Sequence, residues 1–111
     1  MPNGRLCFLG LLLFMGKGAV PRTDSHCLFT MGLQGQDHIN MATEAADLII
    51  SIGYDLVEFA PSFWNKGKDK KIIHVDFWPA EVDVDYQVDV DIVSDVADAM
   101  WQMNEELNKR Y

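Results

Sequence analysis

Gly32 and Gly35 stand just ahead of a segment, beginning at Asp37, whose apolar residues recur at helical spacing. Glycine lets a ligand come close to the backbone, and a helix N-terminus attracts anions, so this pair is a candidate phosphate cradle. The pattern is not G-x-G-x-x-G, and the "GKG" at 16–18 lacks the remainder of a P-loop, so a plain turn explains these glycines at least as well. Asp76 closes the apolar run "KIIHVD". An open parallel sheet places an acid there for a ribose hydroxyl, and a turn former ahead of Pro79 would sit at the same position. Gly53 closes a second apolar run, "LIISI", and Tyr54 and Asp55 follow at once. Ligands of parallel sheets bind beyond such strand ends.

The remaining candidates carry less. Asp83, Asp85, Asp89 and Asp91 match a cation site only in number, because the D-x-D-x-D-G loop is absent; a solvated strand face is the expectation. His26, His38 and His74 share no metal-ligand spacing, so no metal site is expected. Two cysteines, Cys7 and Cys27, are too few for a secreted disulfide scaffold and suit a reducing compartment. His26 adjoins Cys27, but strand neighbours point apart, and no catalytic residue is expected. A formal net charge of −8 argues against nucleic-acid binding. Lys66, Lys68, Lys70 and Lys71 read as a solvated loop.

The elements that must position these residues follow from the apolar pattern. With 111 residues, 49% apolar and 23% charged, the chain can build one modest core. Strands are expected at Cys7–Phe14, Leu48–Ile52, Lys71–Phe77 and Val88–Val93. The stretch Leu6–Met15 imitates the apolar part of a signal peptide, but Lys17 follows directly and the small-residue cleavage pattern is poor. It is too short to span a bilayer. A buried strand, no membrane association and a cytoplasmic location are expected. Asp37–Ala46 reads as a helix with Asp37 as its N-cap. A second helix follows Ser94, a candidate N-cap, with Asp95 in its first turn. Its apolar stripe is Val96, Ala99, Met100, Met103 and Leu107, and Lys109 and Arg110 close it. Continuous apolar strands separated by helices predict an α/β fold: three layers, with a parallel sheet covered by helices on both faces. From Glu81 to Ile92 polar and apolar residues alternate, which by period alone would make one long half-exposed strand.

Taken in order, the segments "MGKG", "MGLQGQDHINMATEAADLIISIGYD", "FWN" and "KIIHVDFWPAEVDVDYQVDVDIVSDVADA" resemble the central domain of thiamine-diphosphate-dependent acetolactate synthases and their carboligase relatives. The likeness runs from residue 13 to about residue 107. Residues 1–12 form an atypical segment ahead of a central domain at 13–111, and the fold is expected to be incomplete at its N-terminus. The resemblance implies a Rossmann-like, six-stranded parallel sheet, a short helical turn at "PAEV" (79–82) and a loop at Asp83–Gln87.

The resembled enzymes decarboxylate pyruvate on thiamine diphosphate and join the two-carbon fragment to a second 2-oxo acid, in one branch for branched-chain amino acid biosynthesis. Flanking domains hold thiamine diphosphate and Mg2+, and this chain has no G-D-G motif for them. The resemblance thus implies a non-catalytic domain, with those flanking domains as partners in a homo-oligomeric parent. In the biosynthetic branch this domain also carries FAD. By the same resemblance the cofactor-facing positions are Gly32, Leu33, Gly53, Asp76 and Asp95. The expected histidine of that site is Gln34, and both expected arginines are missing, at Asp55 and Phe59. Losing those cations removes most of the anchoring for a diphosphate, which argues against FAD. The rival reading is a free-standing module for an adenine nucleotide such as FAD or ADP.

Overall fold

The computed structural model describes residues 10–12, 19–21, 23–25, 27–30, 37–57 and 60–110. Two compact units divide the chain, Met1–Met41 and Ala42–Tyr111.

In the first unit β1 (Gly10–Leu12) pairs in parallel with β2 (Cys27–Thr30). Gly10 stands opposite Cys27 and Leu12 opposite Thr30, so β2 carries one more residue than β1 across this stretch, a bulge. Cys27 is buried, and its Sγ lies 3.9 Å from the Val20 carbonyl. The strand expected at Cys7–Phe14 is described only over β1, and β2 was not expected from the sequence. The helix α1 (Asp37–Ala45) begins at Asp37 itself.

The second unit contains a three-stranded parallel sheet in the order β3-β4-β5. Its strands are β3 (Leu48–Ile52), β4 (Lys71–Asp76) and β5 (Val90–Val93). The α/β class with a parallel sheet is therefore as expected. The central strand β4 is the best buried, with Ile72 and Val75 wholly inside. β-Branched residues fill it, as a strand flanked on both sides requires. The register sets Ser51, His74 and Asp91 in one row across the three strands. Partners in a parallel ladder share a face, so this row marks one polar face, while Val75 belongs to the other.

The last helix, α2 (Val96–Arg110), packs against β4 and buries Ala99. Asp95 rather than Ser94 is its N-cap: Asp95 Oδ1 accepts the Asp98 amide at 3.0 Å, and the Asp95 carbonyl accepts the Ala99 amide at 3.0 Å. Asp95→Ala is expected to cost about 1 kcal/mol, read as a lower urea midpoint with an unchanged slope; an unchanged midpoint would show that the cap contributes nothing.

The connection from β4 to β5 contains no helix. "PAEV" forms no helical turn, because the Ala80 amide is taken by Asp91 Oδ2 at 3.1 Å. The chain then reverses at Asp83–Tyr86, an isolated antiparallel bridge. This agrees with the expected loop and breaks the alternating pattern. The connection from β3 to β4 carries a 3-10 turn, Pro61–Phe63, ahead of the buried Trp64 and Asn65. No described helix is long and apolar enough to cross a membrane.

Candidate functional site

The polar face of the sheet is closed by side chains from both connections. Tyr86 is fully buried, and its ring stands between Tyr54, Trp64 and His74, with centroids at 5.3, 6.0 and 5.7 Å. Its hydroxyl lies 2.7 Å from His74 Nδ1 and makes a short hydrogen bond with Ser51 Oγ. Ser51 Oγ is also 3.3 Å from His74 Nδ1 and 3.4 Å from the Ile73 carbonyl. On the other side of the imidazole, Nε2 is 3.9 Å from Asp76 Oδ2. The Ser51 hydroxyl donates to the Ile73 carbonyl, and the Tyr86 hydroxyl bridges Ser51 Oγ and His74 Nδ1, so the three side chains form one connected chain.

Burial pushes the Tyr86 hydroxyl above the ordinary tyrosine value of 10.0. The hydrogen bond with Ser51 pulls it down, and the carboxylates of Asp91 and Asp76 push it further up. The network is closed to substrates: His74 is 2% exposed and Tyr86 not at all. What the arrangement can do is fasten. Tyr86 ties the β4–β5 connection to β3 and β4. Trp64 Nε1 donates to the Tyr54 hydroxyl at 3.1 Å, and Asn65 Nδ2 donates to the Asp85 carbonyl at 2.8 Å, which ties the two connections together.

Gly32 and Leu33, two of the expected cofactor-facing residues, lie outside the described residues, as does Phe59. Gly53 ends β3 with φ +60°, a conformation that favours glycine, and its amide donates to the Val75 carbonyl at 2.9 Å. A Cβ there would meet nothing within 4 Å, so no tight cradle surrounds it. Asp76 closes β4 as expected; its Oδ1 accepts the Phe77 amide at 2.6 Å while Oδ2 faces His74. Asp95 caps α2, and Asp55 Oδ1 accepts the Val57 amide at 2.8 Å. Each of these three acids thus spends a carboxylate oxygen on a backbone amide one to three residues onward. At Asp55, where the resemblance places an arginine, a diphosphate would meet a carboxylate rather than a cation.

Asp89 and Asp91 are not simply solvated. Asp89 Oδ2 accepts the Ile72 amide at 2.8 Å, and Asp91 Oδ2 accepts that of Ala80. The lysine run also divides. Lys66 is exposed and Lys68 pairs with Asp85 at 3.4 Å, but the Lys70 side chain is only 8% exposed and donates to the Glu44 carbonyl. Among the described residues no three His, Cys, Asp or Glu side chains converge as metal ligands.

The described residues thus form a parallel α/β sheet whose two connections are fastened by buried polar side chains. The family described as thiamine pyrophosphate enzyme, central domain, matches residues 9–103. The chain belongs to that family and is an acetolactate-synthase-like central domain. It is 31% identical over 109 residues to the catabolic acetolactate synthase of Raoultella terrigena, covering 96% of this chain and 19% of that protein. It is 40% identical over 57 residues to the acetolactate synthase of Bacillus subtilis, 51% of this chain and 10% of that protein. It is 35% identical over 94 residues to a chloroplastic acetolactate synthase of Zea mays, 81% of this chain and 14% of that protein. The chain therefore spans between 10% and 19% of the length of these relatives.

Proposed function

We propose that this chain, as a central domain at 13–111, is a non-catalytic scaffold within a thiamine-diphosphate-dependent enzyme that condenses pyruvate with a 2-oxo acid. Thiamine diphosphate and Mg2+ would be held by flanking domains, in a cytoplasmic homo-oligomer. The observation that carries this reading is the family match over 95 of 111 residues (9 to 103) to a domain named for its central place in such enzymes. The buried Ser51–Tyr86–His74 network supports it, because it spends the polar side chains of the sheet on holding connections rather than on a substrate.

The second reading, an adenine-nucleotide module using Gly32, Leu33, Gly53, Asp76 and Asp95, rests on the position of Gly53 and Asp76 at strand ends. The hydrogen bonds from Asp76 and Asp95 to local amides favour the scaffold over it.

The test exchanges the matching segment of the Raoultella terrigena enzyme for this chain. The chimera is expected to form acetolactate from pyruvate with thiamine diphosphate and Mg2+, and the chain alone is expected to form none. Turnover by the chain alone, or a folded chimera without activity, would overturn the proposal. Titration of the chain with FAD, ADP and NAD separates the second reading: binding at micromolar concentration would favour it.

A further inference from the structure

The β4–β5 connection is turned inside out. Phe77, Trp78, Val82 and Val84 are 62%, 71%, 71% and 63% exposed, all within eight residues at the carboxyl end of β4. Carboxylates of the same region hold its backbone. Asp76 and Asp91 hold the Phe77 and Ala80 amides, Asp83 holds that of Val84, and Tyr86 is sunk in the sheet. The apolar side chains are therefore displayed on a fixed backbone, and Phe77 and Trp78 brace each other edge to face at 5.9 Å. A monomeric surface rarely gathers large apolar groups this way unless something covers them.

The charge around this display is of one sign. From Ile72 to Asn108 there is no lysine or arginine, and Asp76, Glu81, Asp83, Asp85 and Asp91 flank the four apolar residues. Only Asp85 has a lysine partner among the described residues, Lys68. A nucleic acid or an anionic membrane would be repelled by this rim. A protein surface with an apolar centre and Lys or Arg around it would be attracted.

We propose that Phe77, Trp78, Val82 and Val84 form a docking surface for a basic, apolar-centred protein surface. Only the location of that partner, on a neighbouring module of the same enzyme, rests on the scaffold reading; the chemistry of the surface does not.

The probe is a labelled amphipathic peptide with leucine on one helical face and lysine on the other, titrated onto the full chain by fluorescence anisotropy. Saturable binding is expected, weakening as salt is raised. Phe77→Ala with Trp78→Ala is expected to weaken it by about tenfold or more, as removal of central aromatic anchors does. Trp101→Ala, which removes an exposed tryptophan of α2, is expected to leave it unchanged. Because all three side chains are exposed, the urea midpoints should stay near that of the parent chain. Equal binding of a leucine–glutamate peptide, an equal loss with Trp101→Ala, or no loss with the double variant would overturn the proposal. So would concentration-dependent self-association that Trp78→Ala abolishes, since the surface would then belong to a second copy. A failed chimera with intact peptide binding would remove the scaffold reading and leave this surface standing.

Discussion

Tyr86→Ala is expected to destabilise the 42–111 unit by about 3–5 kcal/mol, the range for emptying a buried aromatic site. A domain has only about 5–15 kcal/mol in total, so this variant should be on the edge of unfolding at room temperature. Two losses add. The ring leaves a cavity between Tyr54, Trp64 and His74. Loss of the hydroxyl removes one hydrogen-bond partner each from Ser51 and His74. Tyr86→Phe isolates the second loss and should cost about 1–3 kcal/mol, the penalty for a buried polar partner removed. Urea unfolding followed by circular dichroism reads both. If Tyr86→Ala costs no more than Tyr86→Phe, the ring is not what holds the connection down.

The same residue gives a pH signature. Its hydroxyl titrates higher in the folded chain than in the unfolded one, so the folded state holds that proton more tightly. The corresponding stability is fully present below about pH 10, the ordinary tyrosine value, and is lost as pH climbs through the raised folded value. The quantity to follow is the difference between the parent chain and Tyr86→Phe. That difference should shrink with rising alkalinity; a constant difference from pH 8 to pH 11 would contradict the burial of the hydroxyl.

How much of this was legible in the sequence depends on whether the signal was local. The expected strands match β3 to the residue and β4 to within one, because isoleucine and valine make up half or more of "LIISI" and "KIIHVD". β2 was missed, since "CLFT" carries only three apolar residues between polar neighbours and looks like loop. The alternation from Glu81 to Ile92 placed Val82, Val84 and Tyr86 on one side. The structure instead exposes both valines and buries Tyr86, because the Asp83–Tyr86 reversal breaks the period between them. A period assumes an extended chain, and nothing in the residue types announces the turn.

The candidate residues have contacts that their spacing does not announce. Strand ends were the places to search, and Gly53, Asp76 and Asp95 do sit at or next to the carboxyl ends of β3, β4 and β5. Their local hydrogen bonds could not be read from spacing, although Asp95 followed by Asp98 has the interval of a helix cap. The Ser51–His74 pair was invisible for a deeper reason. The two residues are 23 apart in sequence, and only the β3–β4 register makes them neighbours. His74 suggests a metal ligand by its type alone, yet its partners are hydroxyls supplied by another strand and a connection. Lys70 belongs to a charged run that reads as solvated, yet its side chain is buried and its ammonium meets a carbonyl of α1.

Trp64→Ala is expected to cost a further large amount, about 3–5 kcal/mol, for a different part of the same closure. Trp64 is buried behind the 3-10 turn, packs edge-on to both Tyr54 and Tyr86, and donates its indole N–H to Tyr54. Trp64→Phe keeps most of the ring area and removes the donor, so it should fall well short of the alanine variant, at about 1–2 kcal/mol. The informative measurement is the cycle of Trp64→Phe, Tyr86→Phe and the double variant. Residues in contact within one network couple by about 0.5–3 kcal/mol, whereas independent ones add. Asn65, next to Trp64, donates to Asp85, next to Tyr86, so the two connections share a polar tie as well as their rings. Coupling of this size would mean that the β3–β4 and β4–β5 connections close the polar face as one unit and hold Phe77 and Trp78 in place together. Strict additivity would mean that each connection is anchored separately, and that the displayed aromatic pair depends on Tyr86 alone.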